Sequence, residues 1–216
     1  MSENKDLFEE AKQFASPFGM IVAGQSQSGK TVFISKLLEN PSLYIDPPPN
    51  SIIVSYAEDQ SAYEDIKEKV KNVQFVKGLD FEIPEHNQTL IIIDDQMTNA
   101  VKEKRIHQLF TQGIHHKLIS VIYISQSLFP KGVYSVDIRK NTNYYVIMKS
   151  PTFKGSILDV GRQWFPKNPK FLLETYEDVS SKSYSYLVID LHPKSSDKLR
   201  VQSGIFPGED HIVHIP

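Results

Sequence analysis

The sequence predicts an α/β fold in three layers, with a mostly parallel sheet covered by helices on both faces. Three observations predict it. Short apolar runs alternate with stretches of helical spacing along the chain. One run, Leu90-Ile91-Ile92-Ile93, is continuously apolar and ends in Asp94-Asp95, as a parallel strand buried on both faces does. A stretch rich in glycine and hydroxyl residues, Gly24-Gln25-Ser26-Gln27-Ser28-Gly29-Lys30-Thr31, stands between an apolar run and a helix-like one.

The elements follow in order. Residues 3–14 carry Leu7, Ala11 and Phe14 at helical spacing, and Pro17 stops that helix. Residues 18–23 read as a strand and 31–39 as a helix that ends before Asn40-Pro41. The run Ile45-Asp46-Pro47-Pro48-Pro49-Asn50 is a stiff loop, a rigid connector rather than a partner ligand. Residues 52–56 form a strand, 62–71 a charged surface helix, 73–76 a short strand and 90–93 the buried one. Helix returns over 102–115, followed by strands at 120–125 and 144–148 and helices at 155–164 and 170–177. Residues 184–191 and a segment at 199–201 close the chain as a hairpin. No repeat or linker divides it, so 1–216 reads as one domain: a helical extension over 1–16, a core over 17–206 and a tail over 207–216.

Bulk properties narrow the function classes. A length of 216 residues suits one large domain, and 40% hydrophobic with 23% charged residues is ordinary for a soluble globular chain. The net charge of −2 is unlike that of a dedicated sequence-independent nucleic-acid binder, so any such contact must use a local patch. The absence of cysteine excludes disulfides and thiolate metal sites. The first residues lack the apolar segment of a secretory signal, and the longest apolar runs are too short to span a membrane, so no membrane partner is expected.

The glycine-rich stretch fits G-x-x-x-x-G-K-[ST], with Gly24, Gly29, Lys30 and Thr31 at the fixed places. Gln25, Ser26, Gln27 and Ser28 complete the loop. Glycines let backbone N–H groups converge on a phosphate without a Cβ in the way. Lys30 reaches the β- and γ-phosphates, Thr31 offers its hydroxyl to Mg²⁺, and the following helix aims its positive end at the anion. This is chemistry for a nucleoside triphosphate. The apolar strand before Asp94 carries that carboxylate to the C-terminal edge of the sheet, where it would hold Mg²⁺ directly or through water. Asp95 would orient and deprotonate an attacking water, or cap the next helix. A further strand ends in Gln126, which is either a plain turn residue or the amide that senses the γ-phosphate in P-loop ATPases whose P-loop and metal-binding strands are separated by an extra strand.

The chain resembles the FtsK/HerA superfamily of DNA-pumping ATPases. It looks most like the compact genome-packaging ATPases of large DNA viruses of the poxvirus type, virophages and Polinton-like elements. Residues 24–31 and 90–95 carry the resemblance, followed by Phe110-Thr111-Gln112-Gly113-Ile114-His115-His116, the strand leading to Ser125-Gln126, and Ile138-Arg139-Lys140-Asn141. Late in the chain Tyr186-Leu187-Val188-Ile189-Asp190, Leu199-Arg200-Val201 and Ile205-Phe206-Pro207 complete it. The resemblance implies a RecA-like core, a hexameric or similar ring, and ATP hydrolysis at subunit interfaces that moves double-stranded DNA into a capsid. It implies capsid proteins as partners and work inside the host cell, in cytoplasm or nucleus, or at assembling virions. By that analogy Lys30, Asp95 and Gln126 are catalytic, and Arg139 is the finger that reaches a neighbour's ATP. Two departures stand out. Asp95 is one methylene shorter than the glutamate many relatives use, and Gly113-Ile114-His115 replaces a Gly-Arg-His found in some viral relatives.

Other residues have plainer readings. Lys102, Lys104 and Arg105, interleaved with Glu103, read as a solvated helix start before they read as a DNA-facing loop. His107, His115 and His116 fit helix faces rather than a metal site. Trp164, Phe165 and Phe171 read as core. Arg139 has an alternative as a structural ion pair, for instance with Asp137. Two rival functions remain: a monomeric nucleotide or small-molecule kinase, which would need an arginine-rich lid, and an assembly protein that binds nucleotide without hydrolysing it.

Overall fold

The computed structural model describes residues 13–57, 61–85, 87–94, 104–114 and 118–216. Its centre is a nine-stranded sheet. In chain order the strands are β2 (Gly19–Ala23), β4 (Ser51–Tyr56), β5 (Val73–Lys77), β6 (Thr89–Asp94), β7 (Ile119–Ser125), β8 (Tyr144–Met148), β9 (Tyr186–Asp190), β10 (Val201–Ser203) and β11 (Ile212–His214). Across the sheet the order is β5-β4-β6-β7-β2-β8-β9-β10-β11. From β5 to β8 every neighbouring pair is parallel, and β9, β10 and β11 continue antiparallel at one edge. A separate pair, β1 (Phe14–Ala15) with β3 (Ile45–Asp46), lies outside this sheet.

Period-two alternation sorts the strand side chains into two cores. Ile21, Ile91, Ile93, Val121, Tyr123, Tyr145 and Ile147 face one way. There they meet α4 (Lys104–Gln108) with its π-helical continuation Leu109–Gly113, α5 (Ser135–Lys140), α6 (Lys154–Trp164) and α7 (Phe171–Val179). Met20, Val22, Leu90, Ile92, Ile122, Ile124 and Val146 face the other way, against α1 (Lys30–Glu39), α2 (Pro41–Tyr44) and α3 (Ser61–Lys69). Every residue of β2, β6, β7 and β8 is buried, which is why these strands read as unbroken apolar runs. In α1, Phe33, Ile34, Leu37 and Leu38 form the buried stripe, each contributing about 1.5–3 kcal/mol of transfer free energy. The architecture is thus the expected one, three α/β layers around a mostly parallel sheet.

Several elements differ from the sequence reading. Phe14 lies in strand β1, not at the end of a helix, because its ring packs on Phe18 and Tyr144 at 5.9 and 4.9 Å; residues 3–12 of the expected helix lie outside the described residues. The stiff loop after Tyr44 opens with β3. Helix α5 and strand β11 carry no strong sequence signal, and β11 sits within the stretch read as a tail. Among the described residues no helix is long and apolar enough to cross a membrane.

Candidate phosphate-binding site

The loop leaves β2 where the Gly24 N–H donates to the Ser125 carbonyl of β7 at 3.0 Å. It turns back on itself, the Ser28 N–H donating to Gln25 O at 3.2 Å, with φ of 62° at Gln27 and 98° at Gly29. Such turns direct successive backbone N–H groups to one side, a concavity suited to anions. Gly29 tolerates its left-handed φ because it has no Cβ, and helix α1 begins immediately after it with the Phe33 N–H donating to Gly29 O at 2.9 Å. The Lys30 ammonium lies inside the turn and donates to the carbonyls of Gly24 and Gln25, each at 2.7 Å. At Gly24 a Cβ would come within 2.3 Å of Ser28 Oγ and 2.7 Å of Met148 Cβ, so the loop is closed tightly on β8. Among the described residues, the buried Ser28 Oγ has no hydrogen-bond partner, and it is a donor that a phosphate oxygen would satisfy. Ser26 and Gln27 are exposed at the tip, and Thr31 is half-buried in the first turn of α1. The residues present therefore fit a phosphate chain.

Strand β7 lies between β2 and β6, with Ala23 level with Ser125 and Ile93 level with Tyr123. That register puts Asp94 on the same edge of the sheet as the loop. Asp94 is only 3% exposed and accepts a hydrogen bond from the Tyr63 hydroxyl of α3. Tyr63 is itself clamped between Tyr56 and Phe75, at 5.3 and 5.7 Å. A buried carboxylate and the Thr31 hydroxyl on one edge form an oxygen donor set of the kind Mg²⁺ takes. Tyr63 escaped the sequence reading: one aromatic in a charged helix carries no motif. Gln126 is exposed directly after Ser125, at the loop's base. Asp95 lies outside the described residues.

A second layer supports the loop. Gln25 Nε2 donates to Thr152 Oγ1 at 3.1 Å, and Thr152 bonds Ser150 Oγ at 3.0 Å. The segment between β8 and α6 is anchored from below by Tyr176 of α7, whose buried hydroxyl accepts from Ser150 N at 2.6 Å and reaches Ser150 O at 2.9 Å. Burial pushes the Tyr176 phenol upward, so it stays protonated and donates. Tyr176→Phe leaves the Ser150 N–H unsatisfied at a cost of about 1–2 kcal/mol, an expected fall in Tm of roughly 2–6 °C by calorimetry, with the fold otherwise intact.

Arg139 is not brought to this loop. It is exposed near the end of α5, its guanidinium 5.4 Å from the centre of the Phe129 ring. Three residues after α5, Asn143 donates its N–H to Gly19 O at 2.8 Å and accepts from Gly19 N at 3.1 Å. That is the opposite end of β2 from the loop, roughly 15 Å away along the strand. Asp137, the suggested ion-pair partner of Arg139, instead meets His107 Nε2 at 3.1 Å, and His107 stacks on Tyr134 at 4.5 Å. The other arginines are also held away from the loop. Arg105 lies over Phe81 at 4.5 Å, Arg162 pairs with Asp159 at 2.8 Å, and Arg200 pairs with Asp197 at 2.7 Å. Lys102, His115 and His116 lie outside the described residues. Phe165 and Phe171 are buried in the core, 5.3 Å apart, and Trp164 packs on Tyr145 at 4.8 Å.

A scan of protein-family models gives no match, and a search of curated proteins gives none either. Among solved structures the chain is similar to the genome packaging NTPase B204 from Sulfolobus turreted icosahedral virus 2 in complex with AMPPCP, at 16% identity and a TM-score of 0.49, covering 91% of this chain and 96% of that one. It is also similar to B204, the DNA-packaging ATPase from Sulfolobus turreted icosahedral virus, at 15% identity and a TM-score of 0.48, over 92% and 97% of the two chains. The Legionella pneumophila ATPase DotB follows at 11% identity and a TM-score of 0.39, over 82% of this chain and 56% of that one. The fold does not rest on these likenesses: the loop, its lysine and the strand order by themselves make this chain a three-layer α/β protein of the P-loop type.

Proposed function

We propose that this chain is an ATP-driven double-stranded DNA translocase of the genome-packaging type, hydrolysing ATP at the subunit interfaces of a ring. The observation that carries the reading is the division of the site. The loop, Lys30 and Asp94 gather on one edge of the sheet, while all four arginines of the chain, Arg105, Arg139, Arg162 and Arg200, are held by partners outside the loop. An arginine at this site would have to come in trans, and the ring reading takes it from another copy of the chain. The same observation disfavours a monomeric kinase, which closes its own arginines over the phosphates.

In this reading residues 24–31 cradle the triphosphate and Lys30 spans its β- and γ-oxygens. Magnesium, when bound, neutralises charge across those oxygens, and Thr31 and Asp94 would hold it. Asp95 takes the proton of the attacking water and Gln126 reports the γ-phosphate. Arg139 of a neighbour offsets the charge that develops on the transferred group. Capsid proteins and double-stranded DNA are the partners, inside the host cell.

The test is hydrolysis by purified protein with and without long double-stranded DNA over a concentration series. Turnover is expected to rise with DNA and steeply with protein concentration; full activity in a strictly monomeric form would overturn the reading. Arg139→Ala and Lys30→Ala, each inactive alone, are expected to regain measurable turnover when mixed, because a Lys30→Ala subunit still lends its Arg139 to an intact loop. A mixture as inactive as its components would remove Arg139 from the role.

A further inference from the structure

A cavity of about 240 Å³ opens directly against the phosphate loop, walled by Gly29 and Val32 on one side, Met148 at the end of β8, and Tyr184 and Phe206 on the other. Its walls are apolar and aromatic, and two of them are conspicuous on the surface: Val32 is 58% exposed and Tyr184 is 71% exposed. The Tyr184 ring lies against the loop itself, its Cδ1 3.5 Å from where a Cβ on Gly29 would stand. Tyr184 has a φ of 57°, a left-handed conformation uncommon for a bulky aromatic residue. The turn that carries it is tied to β8 by the Lys149 N–H donating to Ser185 O at 2.9 Å. At the rim, Glu209 takes the Lys36 ammonium at 2.7 Å on one oxygen and the Tyr186 hydroxyl on the other. Burial and the Glu209 carboxylate push the Tyr186 phenol far up, so it remains a donor and keeps that rim closed. Sites that hold a flat heterocycle have this composition, apolar walls with a few fixed polar groups at the edge.

We infer that this cavity holds the nucleobase of the bound nucleoside triphosphate, stacked on the Tyr184 ring, and that Tyr184 sets base affinity. The inference rests on the nucleotide reading of residues 24–31. A triphosphate seated in that loop must project its nucleoside past Gly29 and the first turn of α1, and the cavity begins there. The Tyr184 face offers the stacking surface, and Val32 and Phe206 exclude water from the remaining contact. Side-chain hydroxyl chemistry is not needed for stacking, so phenylalanine should serve as well as tyrosine.

Titration calorimetry of the full chain tests this with two ligands, ATPγS and inorganic tripolyphosphate, on the unaltered protein, Tyr184→Ala, Tyr184→Phe and Lys30→Ala. Tyr184→Ala is expected to weaken ATPγS about tenfold, the loss of one base–aromatic stack, and to leave tripolyphosphate unchanged. Tyr184→Phe is expected to bind both ligands as the unaltered protein does. Tyr184 is exposed, so its truncation leaves the core untouched; Tyr184→Asn, a residue at ease in the left-handed region, is expected to lose ATPγS affinity equally. Unchanged ATPγS affinity in both Tyr184→Ala and Tyr184→Asn overturns the inference, as does an equal loss for both ligands. Failure of the unaltered protein to bind either ligand, or Lys30→Ala binding both normally, would instead overturn the nucleotide reading beneath it.

Discussion

Lys30→Ala is expected to abolish nucleotide binding, with ATP affinity lowered by about a hundredfold or more and hydrolysis reduced to background. The Lys30 ammonium lies within the loop, donating to the carbonyls of Gly24 and Gln25 at 2.7 Å each. Hydrogen bonds from a charged donor are roughly twice as strong as neutral ones, and in the nucleotide complex they pass to phosphate oxygens. Alanine removes both the cation and the groups that tether the loop. The chain's arginines are all placed away from the loop, and Lys36, further along α1, is taken by Glu209. The substitution touches little of the core, so the Tm of the free protein should move by only a few degrees. Calorimetric titration with ATPγS beside a thermal melt separates the two effects. An affinity within threefold of the unaltered protein would refute a phosphate role for the loop.

The second large effect is expected at Asp94, and it divides between two variants. Asp94→Asn keeps an oxygen for the Tyr63 hydroxyl and keeps the volume, but removes the charge that a cation needs. Magnesium-dependent hydrolysis is expected to fall by roughly 10²–10³-fold, on the order of the loss of one electrostatic group at a phosphoryl-transfer site, while the Tm changes little. Asp94→Ala also removes the acceptor of the Tyr63 hydroxyl at a position itself only 3% exposed. That adds a stability cost of about 1–3 kcal/mol, or roughly 2–10 °C in Tm for a chain of this size. Tyr63→Phe completes the set, expected to lower stability less than Asp94→Ala and to retain hydrolysis. If Asp94→Asn hydrolyses normally in magnesium, the carboxylate is structural only.

The sequence was most legible where a single physical constraint repeats. Strands β2, β6, β7 and β8 were readable to within a residue because both of their faces are buried, so nearly every position must be apolar. Helix α1 was readable because a four-residue stripe pays its way against the sheet and Asn40-Pro41 stops it. The two-residue strands β1 and β3 and the three-residue β11 are too short to show a period, and α5, with only Ile138 buried, has no stripe. Phe14 fitted a helical spacing with Leu7 and Ala11, yet contact with Phe18 and Tyr144 decided its conformation.

The same division runs through the site. Residues 24–31 lie together in the chain, and their local geometry follows from glycine, a hydroxyl-rich turn and one lysine, so the form of this candidate cradle was determined by the sequence itself. The placement of β7 between β2 and β6 was expected only by analogy with P-loop ATPases that carry an extra strand there, because an apolar run marks a strand but not its neighbours. Only the tertiary structure decided what surrounds that cradle. Tyr63, Thr152, Tyr176 and Tyr184 belong to no motif, Phe206 belongs only to the late segment that completes the resemblance, and all stand far along the chain from Gly24. Thr152, Tyr184 and Phe206 come against the loop, Tyr63 against Asp94 and Tyr176 beneath Ser150, because the parallel sheet brings the C-terminal ends of distant strands to one edge, and because the antiparallel return through β9 folds the last third of the chain back beside α1. Arg139 shows the converse: α5 ends just before Asn143, which bonds Gly19, so Arg139 is carried to the end of β2 opposite this chain's own loop. A motif read along the chain reports which chemistry is available; which side chains share its space is set by strand order and register, which depend on pairings between residues more than a hundred positions apart.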